Sequence, residues 1–189
     1  MRPMRIPGTA PTAASAASGS ASGSTAASAA SGSSGVSVSL AVGSTFTSGA
    51  LCYRVTSASS SSRAVAVTGL AKKSVSSATI PATVTSAGAT WKVTAIAASA
   101  FKGAFKLKSV TIGANVSQIG ASAFKNASKL KSITVKTTKL TAKTVGASAF
   151  KGAGTSAPSK LKVKVPKSRK SAYSKLLCAK GLSTKAKIC

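Results

Sequence analysis

"LKSVTIGANVSQIGASAFKNASKLKSITV", residues 107–135, contains the same strand phrase twice. Leu107, Val110 and Ile112 return as Leu130, Ile133 and Val135 after 23 residues, and Phe124 follows Ile112 by 12. Apolar residues at the first, fourth and sixth positions describe a short strand with one buried face. Working outward, the phrases "IAASAF", "IGASAF" and "VGASAF" end on Phe101, Phe124 and Phe150. "VSSATI" (75–80) keeps the same frame more weakly, and "LKVKVP" (161–166) supplies a last strand with Val163 and Val165 pointing inward.

A period in the low twenties built on such a strand is the signature of a leucine-rich solenoid, in which each coil leaves an apolar edge that only the next coil covers. The expected fold class is therefore a repeat solenoid, mainly β. Ile96, Ile119 and Val145 should stack, Phe101, Phe124 and Phe150 should form an internal aromatic column, and Gly120 and Gly146 should mark tight bends. Two coils carry surplus residues: "PATVTSAGAT" before Trp91, and "KTTKLTAKT" after Val135, which places Phe150 26 residues beyond Phe124. Surplus residues of a solenoid map to edge loops, which often bind, so Trp91 and Leu140 are candidates for such an edge. Trp91 also lies in the alternating "WKVTAI", where a strand position would bury it.

The chain of 189 residues has 27 Lys plus Arg and no Asp, Glu or His. Carboxylates and imidazoles are the usual proton-transfer groups near neutral pH, and with Cys they supply most metal ligands. Their absence argues against an enzyme, a cofactor site or a metal site. Cys52, Cys178 and Cys189 are odd in number and match no zinc or redox spacing. No apolar run approaches the roughly 20 residues that span a bilayer. The start, "MRPMRIPGTAP", has arginines but no following apolar stretch, so no signal peptide is visible in the chain.

Residues 1–35 read as an Ala/Ser/Gly-rich disordered linker, since such a run buries too little apolar surface to offset chain ordering. Residues 36–72 alternate in "VSVSLAV", "ALCYRV" and "RAVAVTG" and read as a β cap. Residues 73–189 form the solenoid. In "PKSRKSAYSKLLCAKG" the spacing of Tyr173, Leu176, Leu177 and Lys180, with Gly181 as terminator, predicts a capping helix over about 167–180.

The repeats, from "TIPATV" through "VTAIAASAFKG" and the opening stretch to "TVGASAFKGAG", resemble the BspA-type leucine-rich repeats of bacterial cell-surface proteins over roughly residues 75–182. That resemblance implies an extracellular or cell-surface location and a noncatalytic adhesion or interaction module that holds a protein or glycan. Where the family often has Cys after the Phe, this chain has Ala104, Ala127 and Ala153. Where it usually carries acids, this chain has Ser or Ala, a pattern of systematic replacement.

Two candidate surfaces follow. Strand positions Thr79, Thr111, Thr134 and Lys164 would line the outer face that meets a ligand. Coiling would also stack lysines into columns: Lys102, Lys125 and Lys151 after each Phe, Lys106 and Lys129 before each Leu, and Lys108 and Lys131 within the strands. Unit charges one strand spacing apart, about 4.8 Å, repel by about 0.9 kcal/mol in water before screening. A polyanion such as a nucleic acid, a sulfated glycan or a wall polymer would reverse that sign, so nonspecific polyanions are the alternative partners.

Overall fold

Leu51, Tyr53 and Val55 alternate with Cys52, Arg54 and Thr56. In the computed structural model, which describes residues 40–189, they form the buried side of strand β2 (Leu51–Ser59). β2 pairs antiparallel with β1 (Thr45–Ser48) and with β3 (Ser62–Leu70), and irregularities at Cys52/Tyr53 and Val55/Ser57 bend the second pair. The linker read over residues 1–35 lies outside the described residues. Of the stretch expected to alternate as a first strand, residues 36–39 also lie outside them, and 40–42 are not strand; the pairing begins only at Thr45.

The meander runs into the repeats without a break in hydrogen bonding. β3 pairs in parallel with β6 (Ala89–Ile96), Val65 opposite Val93 and Val67 opposite Ile96. The surplus "PATVTSAGAT" segment forms no loose edge loop. It supplies β5 (Thr83–Ser86), which pairs antiparallel with β6 through a turn at Ala87 and Gly88, both at positive φ. Val84 opposes Trp91 in that hairpin, Trp91 is 2% exposed, and its indole N–H donates to the carbonyl of Ser86 at 3.1 Å. The tryptophan is buried because it falls on the inward side of an alternating strand.

From here the chain winds between two sheets. The Leu-x-x-aliphatic-x-aliphatic frames give β4 (Ser77–Ile80), β7 (Ser109–Ile112) and β9 (Ser132–Val135), all parallel and in register, followed by β10 (Lys162–Lys164). The other side of each coil is the shorter ladder β6, β8 (Gln118–Ile119) and a single bridge at Val145, so Ile96, Ile119 and Val145 stack as expected. Inward residues of both sheets form one core, with Leu107, Ile112, Leu130, Ile133, Leu161 and Val163 at 0 or 1% exposure.

Between the two sides of each coil lies the "AF" turn. The rings of Phe101 and Phe124 stack with centroids 4.9 Å apart and planes within 1°, and those of Phe124 and Phe150 follow at 5.2 Å and 8°. Beneath them Ala104, Ala127 and Ala153 are buried, small enough to let the turns close. Main-chain bonds tie turn to turn: the amide of Phe101 donates to Ala123 at 2.7 Å, and that of Phe124 to Ala149 at 2.7 Å.

Gly120 and Gly146 have a role other than the expected sharp bend. A Cβ on Gly120 would lie 2.3 Å from the amide nitrogen of Ala98, and one on Gly146 2.4 Å from that of Ala121. These glycines let successive coils approach, while the left-handed bend itself falls on Ser99, Ser122 and Ser148, at φ of 57°, 55° and 53°.

The helix α1 (Lys170–Ala179) buries Tyr173, Leu176 and Leu177 over the last coil, entered through a 3-10 turn at Lys167–Arg169. The chain then continues past Gly181 to a strand absent from the sequence reading, β11 (Lys187–Ile188), which pairs in parallel with β10 and widens the outer sheet to five strands.

Candidate functional site

The register of the five-stranded sheet decides what its outer face presents. Thr79 pairs with Thr111, Thr111 with Thr134, and Thr134 with Lys164, so the four residues form one unbroken row. At about 4.8 Å per strand the row is about 14 Å long. Thr79 and Lys164 are exposed, and Thr111 and Thr134 are half-buried by their neighbours. A second row lies beside it: Ser77, Ser109, Ser132, Lys162 and Lys187. Ser109 donates to Ser77 at 2.8 Å. The face is thus hydroxyl-lined over β4, β7 and β9 and ammonium-lined over β10 and β11. Lys162 and Lys187 were missed as face residues, although their alternation with Val163 and Ile188 is visible in "LKVKV" and "AKIC".

The lysine columns occupy the turn side of the coils. Gly103 donates to the carbonyl of Lys125 at 2.9 Å and Asn126 to that of Lys151 at 2.9 Å, which aligns the backbones carrying Lys102, Lys125 and Lys151. Lys131 donates its amide to the carbonyl of Lys108 at 2.8 Å, so the strand-entry lysines also sit on directly bonded backbones. Lys106 and Lys129 precede the buried Leu107 and Leu130 and are exposed. With no side-chain carboxylate anywhere in the sequence, none of these ammonium groups has an acidic side chain to pair with.

One shallow cleft collects part of these columns. Lys108, Lys129 and Lys131 line it together with Ser128, Ser156 and Leu130, around a volume of about 250 Å³. Ser128 and Ser156 were not legible as partners of the lysines, because Ser156 lies in the irregular "GTSAPSK" segment that has no periodicity.

The other expected edge is closed. Leu140, in the second surplus segment, is 5% exposed and lies beneath α1, its amide donating to the hydroxyl of Tyr173 at 3.1 Å. That segment docks the helix, because its apolar residue and free main-chain groups meet the one polar tip on the buried side of α1. Burial pushes the Tyr173 phenol above its ordinary pKa, opposed by the bond from Leu140 and the charge of Arg169. Cys52 and Cys178 are half-buried thiols and Cys189 an exposed one. Among the described residues no group of three His, Cys, Asp or Glu could hold a metal ion, and no helix is long and apolar enough to cross a membrane.

A family model described as "BspA type Leucine rich repeat region" matches residues 94–178, in six copies. No curated protein matches the chain. Among solved structures, a leucine rich cell surface protein from Faecalibacterium prausnitzii A2-165 is 23% identical, with TM-score 0.47, over 65% of this chain and 30% of that one. A leucine-rich repeat protein from Bacteroides ovatus ATCC 8483 is 26% identical, with TM-score 0.43, over 57% of this chain and 33% of that one. The pneumococcal vaccine antigen PcpA is 21% identical, with TM-score 0.42, over 68% of this chain and 40% of that one. The chain spans 30 to 40% of the length of these three proteins. The 23-residue frame and the Phe column both fall within the matched segment, so residues 94–178 are similar to a BspA-type leucine-rich repeat region in sequence pattern and in the stacking of their turns.

Proposed function

We propose that this chain is a noncatalytic interaction module displayed at a cell surface, which holds a protein or glycan against the outer face of its parallel sheet. The reading is supported above all by the continuous row Thr79–Thr111–Thr134–Lys164, whose spacing is fixed by main-chain pairing rather than by flexible loops. A rigid, regularly spaced surface costs a ligand little ordering when it docks. The surface location rests on the repeat family. Binding of the full chain to arrays of matrix proteins and of neutral and sulfated glycans, at low and high salt, tests the proposal. Retention at high salt, lost when Thr111→Arg and Thr134→Arg are combined, is expected. Binding that fades with salt and ignores those two substitutions would overturn it.

A second reading has its own observation. The 27 positive charges have no side-chain counter-charge, and the cleft joins Lys108, Lys129 and Lys131. Displacing counterions from a polyanion onto such columns would give affinity that falls steeply with salt. A scrambled chain of identical composition is the control: equal binding by both chains would reduce the columns to a mere polycation.

A further inference from the structure

We infer that the cleft beside the entries to β7, β9 and β10 is a subsite for a sulfated sugar unit of a glycan chain; the inference rests on the polyanion reading. The approaches to three successive strands line it: Lys108 at the entry to β7, residues 128–131 at the entry to β9, and Ser156 and Ala157 in the segment before β10. Its walls are tied by main-chain bonds, Lys131 to Lys108 at 2.8 Å and Ser156 to Ser128 at 3.0 Å. The roots of the lysine stems are therefore held at fixed separations while their ammonium ends remain free to close on an anion.

The lining selects among polyanions. Lysine ammoniums are compact charges that suit a tetrahedral sulfate, and the Ser128 and Ser156 hydroxyls can bond either its oxygens or ring hydroxyls. Leu130 closes the bottom of the cleft at 1% exposure, so the apolar surface open to the C–H face of a sugar is that of half-buried Ala157 and the lysine stems. A volume of about 250 Å³ is small for a ligand pocket and matches one substituted ring. The cleft offers no aromatic face on which a base could stack and no guanidinium fork for bidentate phosphate recognition.

Titration of a heparin tetrasaccharide into the full chain at physiological ionic strength tests this. Replacing Lys108, Lys129 and Lys131 together by Ala should weaken binding about tenfold or more, whereas the same charge removed at Lys139, Lys143 and Lys175 should change it about twofold at most. Ser156→Phe keeps every charge and plugs the cleft, so it should weaken binding as the cleft lysines do. Circular dichroism verifies that each variant is folded. If both lysine triples weaken binding alike and Ser156→Phe is silent, the subsite is overturned and the general polyanion reading stands. If the unsubstituted chain ignores heparin, both fall. If single-stranded DNA of equal charge binds as tightly and is lost in the same variants, the sugar assignment is overturned.

Discussion

Tyr173 of α1 donates its phenolic proton to the carbonyl oxygen of Thr137, 3.0 Å away, in the surplus segment that follows β9. The phenolic oxygen of Tyr173 in turn accepts from the amide of Leu140 at 3.1 Å, so one hydroxyl satisfies two main-chain groups at a buried seam. Tyr173→Phe would leave both without their partner. The expected cost is about 1–3 kcal/mol, the penalty for orphaning buried polar groups. Urea unfolding of the full chain at neutral pH measures it, and a change below a few tenths of a kcal/mol would mean that the seam is wet and the helix loosely held.

Phe124 is the middle ring of the aromatic column, fully buried and stacked on both faces. Its loss opens a cavity that two neighbouring turns, locked to each other by main-chain bonds, cannot easily collapse. Phe124→Ala should cost about 3–5 kcal/mol. Phe101→Ala, at a ring stacked on one side, should cost less. Thermal unfolding of the two variants side by side would contradict this view if the order were reversed.

The column was legible because buried strands and turns repeat, and a 23-residue period places equivalent residues one above another whatever the loops do. The row Thr79–Thr111–Thr134–Lys164 followed from the same frame. Tertiary contacts without a local signature were not legible. Leu140 seeks its partner on a helix 33 residues further along, and nothing in "KTTKLTAKT" distinguishes a helix dock from an exposed edge. Ser156 joins the lysine cleft through a bond to Ser128 across an aperiodic segment, and β11 is two residues long, too short for any pattern to announce.

The glycines offer a sharper test of coil spacing than the apolar residues. At Gly120 and Gly146 an added methyl would meet main-chain atoms of the preceding coil, at 2.3 and 2.4 Å, and backbone cannot swing aside as a side chain can. Gly120→Ala should therefore destabilise by at least the about 1–3 kcal/mol typical of overpacking. Gly88→Ala, at φ +70° in the β5–β6 turn with open space around it, should cost only the left-handed penalty of about 1–2 kcal/mol. Equal losses at the two sites, measured by urea unfolding, would remove close approach as the reason for Gly120.

Alkaline pH should destabilise the fold through its buried tyrosines. Burial pushes the Tyr53 phenol above its ordinary value of 10.0, as it does that of Tyr173. At pH near 10 the folded chain then keeps a proton that the unfolded chain has begun to lose, so the unfolded state binds fewer protons and stability declines as pH rises. The contribution is fully present below the unfolded value and lost as pH climbs through the folded one. Tyr53→Phe isolates the effect, since its ring can keep the stacking on Phe46 at 5.3 Å while every other group titrates alike in both proteins and cancels in the difference. Stability of the variant relative to the unsubstituted chain should be flat up to about pH 9 and should rise beyond it. Urea unfolding across that range decides: parallel curves would show that the Tyr53 hydroxyl reaches water in the folded state, and that the sheet beside Phe46 is more open than its packing implies.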